Sequence, residues 1–319
     1  MAPPDARPPA PRPTAARRRS LRLLVATAVA AVLALLAPAA AGAATVRPHA
    51  TTYSGAIAYN LLHPGEDPPG ANDWSCTPTA DHPRPVVLLH GTFGNSTNAW
   101  QRLSPTLAND GWCVFALDYG ADASPYPIRG AGDIPAAAAE VDAFVDRVLA
   151  ATGAPEVDIV GHSQGGGILP RWYLRFLGGA AEVHTLVGMA PSNHGTTLFG
   201  LGTLARAFGL TTGVAAVSPA AEQQIVGSST NATLDAGGDT VPGVSYTTIV
   251  SRYDQVVTPY TNQFLSGPDV TNHLLQDGCR IDYTEHLGVV YDPRAIALAV
   301  NALDPARPRP VPCTLQLVP

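Results

Sequence analysis

The 319-residue sequence contains no lysine, so arginine alone supplies its permanent positive charge. Beyond residue 43 it has 13 arginines against 24 aspartates and glutamates, which gives a formal charge of −11. Nucleic-acid binding depends on a positive surface that meets the phosphates. An acidic chain without lysine lacks such a surface, and we expect no nucleic-acid partner.

Signatures of metal centres, cofactors and repeat architectures are also missing from the sequence. The four cysteines show no Cys-X-X-Cys spacing of the kind found in zinc sites. No group of residues demands a cofactor, and we expect none, although the sequence leaves a structural Ca²⁺ open. There is no internal repeat, and nothing in the sequence indicates an oligomeric state.

The N-terminal residues 1–43 have the layout of a secretory signal peptide. Arginines lead into the apolar stretch 23–36, and Pro38 and a run of small residues follow. We expect cleavage after Ala43 or Ala41, by the general or the twin-arginine export route, and a secreted, extracellular protein without a membrane span. The alternative is an uncleaved anchor, since the stretch counted from Leu21 could just reach membrane-spanning length. The small residues favour cleavage.

All four cysteines lie beyond the predicted signal, and an even number in an exported chain indicates two disulfides. Three pairings are possible. We favour Cys76 with Cys113 and Cys279 with Cys313, because each bond then closes a local loop of about 35 residues. The alternative is a set of free, buried thiols.

Predicted strands and helices alternate along the rest of the chain. The strands are predicted at 85–89, 113–117, 157–160, 183–189 and 244–251. The helices are predicted at 100–109, between Asp133 and Gly153, around 171–177, and from Asp292 to about Leu303. This alternation implies right-handed crossovers and an α/β fold whose central sheet is mostly parallel and is covered by helices on both faces. We predict a single domain over residues 44–319.

The alternation breaks at residues 195–243, a segment rich in glycine, threonine, alanine and leucine. Long insertions in a compact fold often form a lid or a binding wall. We predict a lid or cap insertion here, with an apolar, substrate-binding face made of Phe199, Leu201, Leu204 and Phe208. An ordinary pair of helices that closes the core is the alternative.

The pentapeptide Gly-His-Ser-Gln-Gly at 161–165 follows a predicted strand and precedes a predicted helix. Its three fixed positions recur by chance in roughly one chain in ten of this size. In this context, however, the pattern predicts a nucleophile elbow, a tight turn in which the glycines avoid clashes and the serine projects toward a substrate. Ser163 is therefore the candidate nucleophile.

Serine is a weak nucleophile until a histidine takes its proton, and that histidine needs an acid. On a fold of this kind the acid follows a strand downstream of the elbow, and the histidine comes later. Asp254, just after the strand 244–251, and His286, after the strand-like stretch 280–283, meet both demands. His273 has the right order but lies in a polar stretch with no strand just ahead of it. Three other carboxylates precede His286 without following a convincing strand: Asp269, Asp277 and Asp282.

The negative charge that develops on an ester's carbonyl oxygen during attack needs hydrogen-bond donors. We expect one from the main-chain N–H of Gln164, which opens a helix. We expect a second from the glycine-rich loop 90–95, where we favour the N–H of Phe93 over that of Thr92.

Five segments give the chain a resemblance to a known family. They are 88–95 (Leu-Leu-His-Gly-Thr-Phe-Gly-Asn), 115–120 (Phe-Ala-Leu-Asp-Tyr-Gly), 160–166, 190–197 and 285–293. The chain is similar to the secreted bacterial lipases of the α/β-hydrolase fold, in the group often called lipase class 2. This resemblance covers nearly all of the chain after the predicted signal. It implies triacylglycerol lipase or esterase activity, with Ser163, Asp254 and His286 as a catalytic triad.

The residues and the resemblance together predict hydrolysis of a carboxylic ester, with a lipid ester favoured by the apolar part of the insertion. The alternatives are a short-chain esterase, a cutinase-like polyester hydrolase, and an acyltransferase that uses an alcohol in place of water. A non-catalytic surface binding protein is a further alternative. The complete set of serine, acid, histidine and oxyanion glycines argues against it.

Overall fold

A computed structural model of the protein describes residues 45–121, 126–197, 199–201 and 218–317. It separates Met1–Thr45 from a second unit, Val46–Pro319, and all elements named below lie in the second unit. The predicted signal peptide at 1–43 lies outside the described residues and stays a prediction. Within the described ranges, no helix combines the length and the apolar character that crossing a membrane requires.

Strands and helices alternate along the described chain. The strands are β1 (Val86–Leu89), β2 (Val114–Leu117), β3 (Val157–His162), β4 (Val183–Met189), β5 (Ser245–Val250) and β6 (Val270–Leu274). The helices are α1 (Tyr53–Leu62), α2 (Ser96–Ala99), α3 (Leu103–Asn109), α4 (Ile134–Thr152), α5 (Ile168–Phe176), α6 (Pro219–Gln223), α7 (Ser229–Asp235), α8 (Leu275–Gly278) and α9 (Pro293–Leu303). Short 3₁₀ turns lie at Ser163–Gly166, Gly179–Ala181, Tyr260–Gln263 and Gly288–Tyr291.

Among the described residues, six strands form one sheet in the order β2-β1-β3-β4-β5-β6, and every neighbouring pair is parallel. The predicted α/β fold with a parallel central sheet is therefore confirmed. The chain runs outward from β1 to β2 and returns to β3 on the other side of β1. In open parallel sheets, ligands bind beyond the carboxyl ends of the strands where the order reverses in this way. The loops after β1 and β3 are thus the expected place for a site.

Both faces of the sheet pack against apolar side chains of the helices. In β1, Val86 and Leu88 pack in a cluster with helix α9 on one face, and Val87 and Leu89 pack in a cluster with α4 and α5 on the other. A strand with two buried faces needs a continuous apolar run. This is why an uninterrupted run, rather than an alternating pattern, predicted the strand.

Two of the longer helices begin or end at the predicted residues. Asp133 caps α4 by accepting a hydrogen bond from the N–H of Ala136 at 2.9 Å, and Gly153 ends it with a left-handed φ of 69°. Asp292 caps α9 in the same way, with the N–H of Ala295 at 2.6 Å. These capping residues explain why the helix bounds could be predicted.

Two disulfides join the cysteine pairs that the sequence favours, Cys76–Cys113 and Cys279–Cys313. The first ties the segment before β1 to the residue before β2, and the second ties the end of α8 to the C-terminal tail. The paired cysteines are 37 and 34 residues apart. A cross-link over a loop of that length restricts the unfolded chain and contributes about 3–4 kcal/mol to the free energy of unfolding.

Two local predictions are wrong. The helix predicted at 100–109 begins only at Leu103, because Asn95 starts the separate helix α2 by exchanging hydrogen bonds with Asn98. The stretch 280–283 is not a strand, and its described residues contribute one isolated bridge, from Asp282 to Gln316.

Strand β6 is absent from the sequence-based prediction, which treated the region around His273 as polar and without a strand. Its sequence, Val-Thr-Asn-His-Leu, contains no apolar run, and its residues are exposed or only partly buried. In the part of the chain that the structure describes, it lies at the edge of the sheet and pairs with β5 alone. An edge strand with one neighbour does not need two apolar faces, so its hydropathy gives little signal.

The predicted insertion at 195–243 divides into two parts. Leu198 and residues 202–217 lie outside the described residues, so a lid there stays a prediction. From residue 218 onward the chain packs into the domain, because Ala220 of α6 and Leu234 of α7 are both 0% exposed and belong to the main core.

Candidate active site

Ser163 lies directly after β3, at the start of a 3₁₀ turn. Its φ of 54° is a left-handed value that costs a non-glycine residue about 1 kcal/mol or more. A Cβ atom on Gly161 would lie 1.7 Å from the carbonyl oxygen of Gly165, and one on Gly165 would lie 2.3 Å from that of His90. Main-chain atoms cannot move away as a flexible side chain can. Both glycines are therefore required for this turn, which has the geometry of a nucleophile elbow.

Asp254 follows β5, and its carboxylate accepts four hydrogen bonds. Oδ1 accepts from the main-chain N–H groups of Val256 and Val257, both at 2.8 Å. Oδ2 accepts from Nε2 of Gln263 at 2.9 Å and from Nδ1 of His286 at 2.7 Å. The Asp254 and His286 side chains are both 0% exposed. These donors fill the acceptor capacity of the carboxylate and fix its orientation.

His286 is held on both sides in the loop before the last 3₁₀ turn. The carboxylate of Glu285 accepts a hydrogen bond from the N–H of Leu287 at 2.9 Å, and the carbonyl oxygen of His286 accepts one from Nε2 of His162 at 2.9 Å. With Nδ1 bound to Asp254, Nε2 of His286 is buried and has no hydrogen-bond partner among the described residues. An open nitrogen of this kind can accept a proton from a substrate or a nucleophile.

Two further buried histidines, His90 and His162, lie beside the site. Burial lowers the pKa of both, and the pKa of His162 falls well below its ordinary value, with the charge of His286 acting in the same direction. Both rings are therefore neutral at neutral pH. His162 donates its Nε2–H to the His286 carbonyl, so it cannot also serve as a base through that nitrogen.

The loop after β1 lies against the elbow. The N–H of Gly94 donates to the carbonyl of Gly91 at 3.1 Å, which closes a turn in which Phe93 has a left-handed φ of 63°. A Cβ atom on Gly91 would lie 3.1 Å from Cβ of Ser163. This close approach brings the loop with Thr92 and Phe93 next to the serine. The choice between their two N–H groups as oxyanion donor stays a prediction.

The alternative candidates for the acid and the base lie in different surroundings from Asp254 and His286. His273 lies in the edge strand β6, and Asp269 precedes that strand with a left-handed φ of 57°. The Asp277 side chain is 75% exposed, and Asp282 is buried with its Oδ1 bound to the N–H of Thr284 at 3.0 Å. Within the described part of the chain, no hydrogen bond joins any of these carboxylates to His286.

Three residues that support the site were not predicted, namely Gln224, Gln263 and Glu285. Gln263 binds the carboxylate of Asp254, and Glu285 holds the loop of His286. Gln224 donates hydrogen bonds to Thr92 and Gln164. Only Glu285 had a sequence signal, because it lies in the segment 285–293 that carries the family resemblance.

A sequence profile described as the alpha/beta hydrolase fold matches residues 84–279. The chain belongs to the alpha/beta hydrolase fold family. The match contains the elbow, the loop 90–95 and Asp254.

Curated relatives of this alpha/beta hydrolase include two proteins named triacylglycerol lipase. One is from Pseudarthrobacter phenanthrenivorans and one from Burkholderia plantarii, and each is 34% identical over 87 residues, or 26% of this chain. The matches cover 25% and 23% of the two relatives. The chain thus spans about a quarter of the length of the curated relatives that it matches.

Solved structures similar to this hydrolase also include lipases. Aspergillus fumigatus lipase B is 22% identical with a TM-score of 0.57, over 77% of this chain and 57% of that one. Bacillus licheniformis lipase BlEst2 in its mature form is 17% identical with a TM-score of 0.53, over 71% and 94%. At these identities the likeness shows a shared fold alone.

A small apolar cluster joins the loops around the candidate site of this hydrolase. Its buried members are Phe93, Ala131, Leu201, Ala221 and Val256, and its partly buried members are Ile128, Ile225 and Leu287. Leu201, predicted to bind substrate, is 6% exposed in this cluster, whereas Phe199 is 71% exposed. The predicted substrate-binding residues Leu204 and Phe208 lie outside the described residues.

One group in the described part of the chain has the ligand atoms for a metal ion: His194, Asp235 and Asp239. The buried guanidinium of Arg171 already lies between the carboxylates, with Nη2 3.6 Å from Oδ1 of Asp235 and 3.5 Å from Oδ1 of Asp239. Nδ1 of His194 lies 3.1 Å from Oδ1 of Asp235, and its Nε2 lies 3.5 Å from Oδ1 of Asp239. The guanidinium is a fixed cation that neutralises the carboxylates and would repel a metal ion. This group therefore fits an ion-pair network better than a metal centre.

The same network makes the stability of the protein depend on pH. A hydrogen bond with Asp239 raises the pKa of His194. Burial alone would raise the pKa of Asp239, but hydrogen bonds from His194 and Ser266 outweigh it and lower that pKa. The contribution of His194 is fully present below its ordinary pKa of 6.5 and is lost as pH rises through the raised value. The contribution of Asp239 is present above 3.8 and is lost as pH falls through the lowered value.

We expect His194→Asn to weaken the pH dependence of stability on the alkaline side. As the pH rises from below 6.5 through the raised pKa of His194, the wild-type protein loses the charge of this residue and the variant has none to lose. The melting temperature of the wild type should therefore fall more over this range than that of the variant. Thermal unfolding at a series of pH values measures the melting temperatures of both proteins. An equal change of melting temperature with pH in the two proteins would contradict the assigned ion pair.

Proposed function

We propose that this protein is a secreted serine hydrolase that cleaves carboxylic esters of lipids, with Ser163 as nucleophile, His286 as base and Asp254 as acid. The observation that carries the proposal is the buried hydrogen bond of 2.7 Å between Asp254 and His286. The other ring nitrogen of His286 has no partner among the described residues. A general base needs an imidazole with one nitrogen fixed by a carboxylate and the other open.

The proposed reaction proceeds through an acyl-enzyme. Nε2 of His286 removes the proton of Ser163 as the serine oxygen attacks the ester carbonyl carbon. The carbonyl oxygen becomes an oxyanion that accepts hydrogen bonds from the N–H of Gln164 and from that of Phe93 or Thr92. The imidazolium protonates the departing alcohol, and the acyl group stays on the serine. Water then attacks this acyl group with His286 as base, and the same steps in reverse release the acid.

Asp254 keeps His286 in the tautomer that this reaction needs. The Nδ1–H of the histidine donates to Oδ2 of Asp254, so the lone pair of Nε2 is free for the serine's proton. When the imidazolium forms, the carboxylate at 2.7 Å stabilises its positive charge. Gln263 and two main-chain N–H groups keep the carboxylate in place during this step.

A lipid ester is the proposed substrate because apolar side chains adjoin three loops of the proposed machinery. Phe93 lies in the oxyanion loop, Val256 follows Asp254, Leu287 follows His286, and all three belong to one apolar cluster with Leu201. The names of the curated relatives, both triacylglycerol lipases, support the same class of substrate.

Export from the cell belongs to the proposal. The segment 1–43 has the composition of a cleaved signal peptide. Two disulfides support an oxidising compartment, since such bonds are rare in reducing cytosol. N-terminal sequencing of protein recovered from the culture medium tests this, and a mature chain that begins at residue 42 or 44 is expected.

The proposed substrate class is tested by the hydrolysis of p-nitrophenyl esters from butyrate to palmitate and of a triglyceride emulsion. We expect activity on the long-chain esters and on the emulsion, and labelling of Ser163 by a fluorophosphonate probe. Activity that falls steadily with chain length and is absent on the emulsion indicates an esterase or a cutinase-like polyester hydrolase. New esters formed in the presence of added alcohol indicate an acyltransferase. A wild-type protein that the probe does not label refutes a serine hydrolase.

A further inference from the structure

A buried polar triangle joins the two loops that carry the proposed oxyanion donors. Thr92 Oγ1 donates to Oε1 of Gln164 at 2.7 Å. The two N–H bonds of Gln224 Nε2 are shared among three acceptors: Thr92 Oγ1 at 2.8 Å, Gln164 Oε1 at 3.0 Å and the carbonyl oxygen of Ala220 at 2.9 Å. All three residues are at most 2% exposed. The reaction proposed above gives Gln224 no role.

Gln224 follows α6, inside the predicted insertion at 195–243. Its Oε1 accepts a hydrogen bond from Oγ of Ser192 at 2.8 Å, in the loop after β4. Its main-chain carbonyl accepts one from the N–H of Thr196 at 2.7 Å, in the same loop. One residue thus connects the loops that follow β1, β3 and β4. Because an amide is planar, fixing its oxygen on Ser192 also fixes the direction in which its nitrogen donates.

The side chain of Gln164 depends on this triangle for its position. Its Oε1 accepts from both Thr92 and Gln224, whereas its Nε2 is buried without a hydrogen-bond partner among the described residues. The amide is therefore held through its oxygen. If Gln224 no longer donates, one of the two hydrogen bonds on that oxygen is lost.

We propose that Gln224 is a positioning residue that sets the distance between the two oxyanion donors, an inference that rests on the proposed function. Gln224 acts through the loops of Thr92 and Gln164 and does not touch the substrate. An oxyanion donor is effective within about 2.7–3.1 Å of the oxygen. A shift of about 1 Å in either loop therefore weakens the stabilisation of the transition state more than the binding of the ester.

The test compares two neighbouring glutamines. Gln224→Leu removes the amide that connects the loops and keeps a side chain of similar size. Gln223→Leu is the matched control, since its amide binds Asp133 and the N–H of Ile134 rather than either oxyanion loop. Two quantities are measured for each variant: kcat and KM on p-nitrophenyl butyrate, and the affinity for a trifluoromethyl ketone, which forms a tetrahedral adduct with a catalytic serine.

We expect Gln224→Leu to lower kcat by about 10- to 100-fold, which is less than the loss of a whole oxyanion donor, with KM within about threefold of wild type. Its affinity for the ketone should fall by the same factor as kcat/KM. Gln223→Leu should keep both quantities within about twofold. A defect in folding alone would reduce the amount of active enzyme without changing the ketone affinity of the active fraction.

The proposal is overturned if Gln224→Leu keeps its kcat, or if kcat falls while the ketone affinity is unchanged. Should that variant not fold, Ser192→Ala removes only the hydrogen bond to Oε1 of Gln224 and is expected to give a smaller, parallel loss in kcat and ketone affinity. No loss in Ser192→Ala then overturns the proposal. A wild-type protein without ester hydrolysis refutes the proposed function itself, and this result is seen before any variant is compared.

Discussion

Ser163→Ala is expected to lower kcat for ester hydrolysis by about 10³-fold or more. The variant keeps the proposed oxyanion N–H groups and His286, but it has no side-chain oxygen that can attack. The remaining rate comes from water that reacts in a site able to stabilise an oxyanion. Steady-state hydrolysis of p-nitrophenyl butyrate measures the loss. The exchange removes one oxygen from a side chain that is 2% exposed, so we expect the melting temperature to change little.

An exposed serine supplies the control. Ser245 begins β5 on the surface, and Ser245→Ala should keep wild-type activity and fluorophosphonate labelling. A Ser163→Ala variant that hydrolyses the ester at close to the wild-type rate, or that the probe labels equally, would falsify the assignment of the nucleophile. Equal loss in both variants would point to a general effect on folding.

Backbone strain occurs at two positions beside the candidate site. Ser163 and Phe93 both have left-handed φ values, of 54° and 63°, and each costs about 1 kcal/mol or more. The surrounding contacts keep them there, because the elbow and the loop 90–95 approach so closely that Gly91 has no room for a side chain beside Ser163. The elbow pattern predicted the tight turn in which Ser163 takes this strain. No sequence pattern predicted the strain at Phe93. It is visible only in the structure, in the turn that the hydrogen bond of Gly94 closes.

The parts of the fold that could be predicted have a local physical cause. An apolar run predicted β1 because both faces of that strand are buried, and Asp133 and Gly153 marked the ends of α4 because one caps it and the other adopts a left-handed φ. The chain order of the candidate triad was also predictable. The loops after parallel strands open on the same edge of the sheet, so residues that follow β3 and β5 can meet there.

The parts that could not be predicted depend on polar contacts between distant residues. In β6, Oδ1 of Asn272 accepts hydrogen bonds from Oγ1 of Thr248 at 2.7 Å and from the N–H of Leu265 at 3.2 Å, and neither contact has a hydropathy signal. Gln224 lies 132 residues from its partner Thr92. A single buried glutamine has no periodicity and no fixed spacing, so its role is visible only when the loops are seen together.

Asp254→Asn is expected to lower kcat by about 10³- to 10⁴-fold, although the new side chain has almost the same shape. The carboxylate accepts four hydrogen bonds, and an asparagine has only one acceptor atom. If its oxygen stays on the two main-chain N–H groups, its Nδ2 faces two other donors, Nε2 of Gln263 and Nδ1 of His286. The histidine must then move its proton to Nε2 so that Nδ1 can accept. In that tautomer Nε2 cannot take the proton of Ser163.

The matched control is Asp277→Asn, which also removes one negative charge but from a side chain that is 75% exposed. We expect this control to keep kcat and the melting temperature close to wild type, since exposed ion pairs contribute little. Asp254→Asn should also lose about 1–3 kcal/mol of stability, because the new Nδ2 and its neighbours are all donors, and a buried donor is left without an acceptor. Rate measurements over a range of pH, together with thermal unfolding, separate the two effects: a wrong tautomer lowers the plateau of kcat, whereas partial unfolding lowers the amount of active enzyme. A near wild-type plateau in Asp254→Asn would mean that His286 works without this carboxylate, and the proposed triad would have to be abandoned.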